Sequence, residues 1–342
     1  MRRSVFVHLL TIALLLSAVT LSAQTKKIVV FGNQNPEVIK DWQSASSKVK
    51  IVGVNKETVM QEIADADAFI GNITPELVRA GKNLKWVQIT SAGAERALHL
   101  SGGDDLRNSD IVLTNNQIVQ GPEIADHAMA MLLAMSRNLL TYFEDRKIEN
   151  WRRERYPGIE LRGKTAVVIG VGGIGTQIAT RAWAFGMRVI GVDPEDIPFI
   201  PFIDKVVKPD QINEVLPEAD VVFMSAPHTP MSHKMLGPGQ FEVMKKGAYF
   251  IAVSRGGTYD LNSLVKALDS RKLSGAGVDV VDPEPLPKGH ALWHFDNVII
   301  TPHIAGRSDM DQGRMLGTVK ANIARFAEGQ PLINVVNKEK GY

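Results

Sequence analysis

The chain of 342 residues contains no cysteine. That excludes disulfides, thiolate chemistry and cysteine-bearing metal sites, so stability has to come from packing. Aromatic residues are few, at 6%, yet 44% of residues are hydrophobic and 22% charged, the balance of a soluble globular protein with real cores. Low-complexity segments are missing, as is any repeat with a period of about 20–50 residues. The length is too great for one ordinary domain and suits two. A basic field is missing too. Segment 1–23 carries Arg2 and Arg3 and no acid, so the 39 basic and 37 acidic residues of the whole chain become 37 of each beyond it. Nothing remains from which to argue nucleic-acid binding. No cluster has metal-ligand spacing; His290 and His294 are four apart but stand in a loop-like stretch.

Long apolar runs are absent except at the start. Met1-Arg2-Arg3 is basic, Val5 to Leu21 holds no acid, Lys or Arg, and Ser22-Ala23 precede polar Gln24-Thr25-Lys26-Lys27. This pattern predicts a signal peptide over 1–23, cleaved after Ala23, and an exported (periplasmic or secreted) mature protein with no membrane contact. An uncleaved anchor, a buried N-terminal helix on a cytoplasmic protein and a twin-arginine leader are competing readings. Leu21 fits the cleavage pattern imperfectly, and Phe6 stands one place late for the twin-arginine pattern.

From residue 26, apolar runs of strand length alternate with helix-length segments. Strands are predicted at 28–31, 49–54, 68–70, 84–90 and 111–114. A helix opens at Thr74-Pro75-Glu76, where a capping hydroxyl precedes Pro in the first turn. Segment 122–140, with Ala125, Ala128, Met129, Leu132, Leu133, Met135 and Leu139, is apolar on more than one face. It reads as a helix that is buried or packed on a partner. The charged stretch 144–155 reads as a solvated connector. A second alternation follows, with strands at 165–169, 188–192, 220–224, 248–253, 276–281 and 298–301 and a closing helix over about 309–326. Short apolar strands separated by helices imply an α/β protein built on doubly wound parallel sheets covered on both faces.

The clearest motif is TAVVIGVGGIGTQIA. Gly170, Gly172 and Gly175 form G-x-G-x-x-G after a strand, with Gly173 and Ile174 opening a helix. The three glycines suit a tight turn, close approach of backbone to a pyrophosphate, and close helix–strand packing. The helix N-terminus offers free N–H groups and partial positive charge to phosphates. Asp193 closes the next strand, 18 residues beyond Gly175. A carboxylate there accepts hydrogen bonds from ribose hydroxyls and repels a 2′-phosphate, which favours NAD over NADP. The plainer reading is a turn motif with a strand-end acid.

In open parallel sheets, ligands sit outside the carboxyl ends of the strands. Three such ends carry chemistry: Ser254-Arg255-Gly256-Gly257, Asp282-Pro283-Glu284-Pro285 and Thr301-Pro302-His303. Hydride transfer between a hydroxy acid and NAD needs a group that carries the hydroxyl proton, a role suited to histidine. A carboxylate on the other ring nitrogen fixes the tautomer and stabilises the imidazolium. Arginine offers a planar, permanently charged fork for the substrate carboxylate. Each residue alone has an ordinary reading as a surface, loop or turn residue; together, beside a dinucleotide loop, they form a catalytic set.

The sequence here resembles the D-2-hydroxyacid dehydrogenase family over nearly the whole chain beyond the leader. GVGGIG at 170–175, SRGGTYDLNSLVKAL at 254–268, GAGVDVVDPEPLP at 275–287 and NVIITPHIAG at 297–306 carry the resemblance. It implies a flavodoxin-like substrate domain (24–118 and 308–342) with an inserted Rossmann NAD-binding domain (119–307), the last helix returning to the first domain. It also implies Arg255 as substrate arginine, Glu284 as the histidine's partner and His303 as acid/base. Asp279, Pro227 and Val253 are placed beside the cofactor. In ITSAGAERAL the backbone of Ala92 and Gly93 would grip the substrate carboxylate. GPEIADHAMAMLLAMSRNL resembles an interdomain helix that also builds a homodimer interface. The expected substrate is a small 2-keto or 2-hydroxy acid such as glyoxylate or hydroxypyruvate, with lactate and phosphoglycerate as open alternatives. Val281 replaces a frequent aromatic, Asp126 replaces Glu, and Pro194, Pro198 and Pro201 make the loop after Asp193 unusual. His228, past a strand end, would face the adenosine. The competing functional reading is a catalytically silent NAD-binding sensor or scaffold of the same fold.

Overall fold

The computed structural model describes residues 25–32, 35–153 and 158–342. The predicted leader, 1–23, lies outside the described residues. Two parallel sheets organise the molecule. The first comprises β1 (Lys26–Phe31), β2 (Val49–Val54), β3 (Ala68–Ile70), β4 (Trp86–Gln88) and β5 (Val112–Thr114), in the order β2-β1-β3-β4-β5. The second comprises β6 (Thr165–Ile169), β7 (Arg188–Val192), β8 (Lys205–Val207), β9 (Val221–Met224), β10 (Ala248–Ala252), β11 (Leu273–Val278) and β12 (Val298–Ile300), in the order β12-β11-β10-β9-β6-β7-β8. Strands β6, β9 and β10 are buried at every position, which is why they read as unbroken apolar runs rather than alternating ones.

In each sheet the strand order reverses once, beside β1 in the first and between β6 and β9 in the second. A crevice opens at such a point because the helices on either side wind in opposite directions. The glycine loop follows β6 and the ITSAGAERAL loop follows β4, so both stand at carboxyl ends.

Helix Pro75–Ala80 starts as predicted, the Thr74 hydroxyl accepting from Leu77 N. The interdomain helix, Gly121–Ser136, buries Ile124, Ala125, Ala128, Met129, Met131, Leu132 and Met135 against the second sheet and the glycine-loop helix, Gly173–Ala184. A second helix, Leu139–Lys147, runs into the stretch read as a solvated connector, and Phe143, Ile148 and Trp151 stand exposed on it and just beyond. That surface is more apolar than a connector requires.

The closing helix, Asp311–Glu328, packs on the first sheet. Val319, Ile323 and Phe326 share a core with Ile28, Trp42 and Trp86, and the Trp86 and Phe326 rings lie 5.1 Å apart. Trp42 Nε1 donates to Leu316 O, and fully buried Asn322 bonds Gln88 and both backbone groups of Ile333. Beyond it, Val335 bridges antiparallel to Thr114, which returns the chain to the edge of β5. Two features depart from the predicted elements. Strand β11 runs 273–278 rather than 276–281, so Asp279 stands just past a strand end. The short edge strand β8 had no predicted counterpart.

Candidate active site

A cleft of about 720 Å³ opens along the carboxyl end of the second sheet and reaches the first. Its floor is the glycine loop. Gly170 has φ +87°, and a Cβ there would lie 2.6 Å from backbone atoms of Ala226, so only glycine lets β6 turn this close to the end of β9. Gly170, Gly172, Gly173 and Ile174 line the cleft; Gly175 packs behind them against Gly170 and Ser225. The helix that follows has Gly172 at its N-cap and no side-chain cap, so its first N–H groups are left for a ligand.

Asp193 also lines the cleft, although only 7% exposed. One carboxylate oxygen accepts from Val171 N at 2.7 Å and the other from Glu195 N at 2.9 Å. A carboxylate has about four acceptor positions, so two remain for ribose hydroxyls. Open glycine backbone, an uncapped helix start, a fixed carboxylate and the cleft's size together fit a dinucleotide. Pro227 joins the lining; Val253 and Asp279 do not.

Asp279 has a structural task. It is 3% exposed, and its carboxylate accepts from Thr301 Oγ1 (2.6 Å), Ile304 N (2.9 Å) and Ala305 N (3.0 Å). His303 N donates to the Asp279 carbonyl at 2.8 Å. The TPHIAG turn is thus wrapped around one buried aspartate, and this holds His303 at φ +54°, a conformation uncommon outside glycine. His127 Nε2 approaches Thr301 Oγ1 at 2.9 Å from the interdomain helix, and Gln120 Nε2 donates to Gly306 O at 2.8 Å. Val253 is buried in the core beneath the cleft.

The turn presents His303 to Glu284. His303 Nδ1 and Glu284 Oε2 are 2.9 Å apart, while Glu284 Oε1 accepts from Val281 N at 3.2 Å. With Nδ1 engaged, Nε2 is the ring nitrogen left to exchange a proton. The Arg255 loop lies alongside: a Cβ on Gly256 would collide with the backbone of Val281 and Asp282. Arg255, Glu284 and His303 therefore share one edge, as the strand ends predicted.

Arg255 and the first sheet meet across the cleft. Arg255 Nε donates to Glu95 Oε1 at 2.6 Å and Nη1 to Ser254 O at 2.8 Å. A Cβ on Gly93 would strike Nη2 of Arg255 and the Glu95 carboxylate, so the substrate loop touches the guanidinium directly. Asn115 Nδ2 holds the Ala92 carbonyl at 2.6 Å and Ser91 Oγ the Gly93 carbonyl at 2.8 Å. The loop is fixed through its acceptors, and its N–H groups are the donors that remain for a carboxylate.

Glu95 was not among the predicted site residues. Its one signal is position, two residues past Gly93 in ITSAGAERAL. His228 corrects the expectation that it faces adenosine. It packs on Gly257 of the Arg255 loop, with His233 Nδ1 3.0 Å from its Nε2, and burial and then His233 hold its pKa below the usual histidine value.

The family profile described as "D-isomer specific 2-hydroxyacid dehydrogenase, NAD binding domain" matches residues 129–305. The D-3-phosphoglycerate dehydrogenase of Methanocaldococcus jannaschii is 32% identical over 91% of this chain and 59% of its own length. The glyoxylate reductase of Korarchaeum cryptofilum is 29% identical over 83% of this chain and 87% of its own. A crystal structure of a D-isomer specific 2-hydroxyacid dehydrogenase family protein from Aeromonas salmonicida superposes with a TM-score of 0.77 at 29% identity, covering 92% of this chain and 99% of that one. The chain belongs to the D-isomer specific 2-hydroxyacid dehydrogenase family. It spans 59% of the length of the phosphoglycerate dehydrogenase it matches.

Proposed function

We propose that this protein is an NAD-dependent dehydrogenase acting on a small D-2-hydroxy acid and its 2-keto partner, glyoxylate or hydroxypyruvate among them. One observation carries the reading: His303–Glu284 and Arg255–Gly93 stand on the edge that adjoins a cleft shaped for a dinucleotide. Held along Gly170, Gly172 and Asp193, a nicotinamide coenzyme would supply or take up the hydride. The protein does the rest. Arg255 and the N–H groups of Ala92 and Gly93 hold the substrate carboxylate, and the guanidinium also polarises the carbonyl. His303 Nε2 gives its proton to the carbonyl oxygen as it becomes a hydroxyl, and takes one back in the reverse direction. Glu284, bonded to Nδ1, holds the ring in position and offsets the charge of the imidazolium. Arg255 is already paired with Glu95, so an arriving carboxylate shares or displaces that partner.

Asp193 supports NAD as the preferred coenzyme, since its buried carboxylate opposes a 2′-phosphate and still has acceptor positions free. Purified protein with NADH and a panel of 2-keto acids tests the reading. NADH oxidation with at least one of them is expected. A protein that binds NADH and turns over none of the panel favours the silent sensor reading instead.

Two further expectations rest on particular residues. Exposed Phe143, Ile148 and Trp151, continuous with the interdomain helix, support a homodimer through that face; a monomer in sedimentation at micromolar concentration overturns this. The apolar leader 1–23 supports export, and N-terminal sequencing of the mature protein after cell fractionation decides it. Cytoplasmic protein that begins at Met1 rejects export.

A further inference from the structure

The far end of the cleft is closed by a segment from the other half of the chain. Glu339, Lys340, Gly341 and Tyr342 line it together with Asp193, Pro194 and Glu195. The segment is firmly rooted in the first sheet. Val336 is buried and its N–H donates to Leu113 O, while Lys338 Nζ donates to the Leu106 and Ile111 carbonyls. Asn337 Oδ1 accepts from Glu339 N and Lys340 N, and Tyr342 O accepts from Asn337 N, which folds the segment into a compact turn. From that root it crosses to the end of β7. Lys340 Nζ donates to Glu195 Oε1 at 2.6 Å, and Tyr342 Oη donates to the same oxygen at 2.7 Å.

The charges at this end are few. Among the described residues lining the cleft, the only Lys or Arg side chains are Arg255, at the catalytic edge, and Lys340. Nearby Lys208 is bound to Asp196 and to the Pro194 carbonyl. The adenosine end therefore carries three side-chain carboxylates, Asp193, Glu195 and Glu339, against one ammonium held by Glu195.

We propose that Glu195 and Lys340 are specificity-determining residues for the coenzyme: Glu195 sequesters Lys340, the lysine lining that end of the cleft, from a ribose 2′-phosphate, and so selects for a free 2′-hydroxyl. Asp193 alone does not set the preference; the first sheet contributes to it through residue 340. This rests on the reading that the cleft takes a nicotinamide dinucleotide. Tyr342 supports it by fixing the Glu195 carboxylate with a second donor.

The test measures binding rather than turnover. ADP and 2′,5′-ADP, which differ by a 2′-phosphate in place of the terminal phosphate, are titrated calorimetrically into the full-length protein, Glu195→Gln, Lys340→Met and the double variant. The Lys340 and Glu195 side chains are 48% and 42% exposed, so neither change disturbs a core. Glu195→Gln is expected to tighten 2′,5′-ADP about tenfold, the effect of one unit charge near contact in a mostly solvated site, and to change ADP little. The double variant should lose that gain, because the cation that Glu195 releases is gone. Equal changes for both nucleotides in Glu195→Gln, or a gain that survives in the double variant, overturn the proposal. Wild-type protein that binds neither NADH nor ADP removes the dinucleotide reading itself. Wild-type binding with no selective change in Glu195→Gln removes only this inference.

Discussion

The candidate active site contains two carboxylate pairs of different origin. His303 and Glu284 are 19 residues apart and both come from strand ends of the second sheet, whereas Arg255 and Glu95 are 160 residues apart and join the two sheets. The first pair is set within one rigid framework: Asp279 fixes the turn, Val281 N fixes the glutamate, and no movement between the halves of the molecule alters them. The second exists only while the halves are together. On the proposed function, the proton carrier would be built in, while the carboxylate grip would be assembled across the cleft. Both pairs are partly solvent-exposed, so neither should add much to stability; their value is in position.

Substitutions separate the two pairs. The largest effect is expected from His303→Ala. Turnover should fall roughly a hundredfold to ten-thousandfold, the range for loss of a general acid–base group, with NADH affinity nearly unchanged in a fluorescence titration. NADH binding that collapses along with turnover would mean that the turn, not the proton, had been removed.

Arg255→Ala comes next. About a hundredfold loss in kcat/KM, equivalent to ~3 kcal/mol, is expected when a charge-assisted contact to the substrate disappears. Steady-state kinetics should show it in KM as well as kcat. A pure kcat effect would argue that Arg255 does not hold the ground-state carboxylate.

Glu284→Gln keeps a hydrogen-bond acceptor for Nδ1 but removes the charge that stabilises the imidazolium, so reduction at neutral pH should slow by about tenfold. KM should barely move, because this pair lies within one half of the protein.

Glu95→Gln sharpens the contrast. It leaves the Arg255 fork in place with a weaker neighbour, and a few-fold change confined to KM is expected for a group that acts through arginine. A loss in kcat as large as that of Glu284→Gln would erase the distinction between the two pairs.

Asp193→Ala should be mildest in absolute terms but directional. NADH efficiency is expected to fall more than NADPH efficiency; equal losses would show that Asp193 only braces Val171 N.

Local pattern made much of the scaffold legible. Buried strands such as TAVVI and AYFIA are mostly apolar and buried at every position, and Thr74 announced its helix by capping chemistry. Strand β11 was misplaced because Gly275, in the missed part, looks unlike a strand residue. The reason is tertiary: a Cβ on Gly275 would sit 2.7 Å from the Asn297 carbonyl and 3.0 Å from Met135 Sδ, so the next strand's approach and the helix Gly121–Ser136 leave no room for a side chain. Strand β8 escaped because Lys-Val-Val is too short to show a period and pairs only with β7. Asp279 was expected beside the cofactor. One buried carboxylate taken up by three donors turns it into the post around which the His303 turn is built.

By itself the sequence determined which candidate residues stand on which strand-end loops. Glycine spacing after a strand, a strand-closing acid and strand-end Arg, Glu and His are local properties, and local sterics and burial encode them. Only the tertiary structure decided what meets across the cleft. Glu95 on Arg255, and Lys340 with Tyr342 on Glu195, join residues 145 or more positions apart. Such contacts depend on how two separately formed sheets are brought together by the returning helix, and no period or spacing along the chain records that.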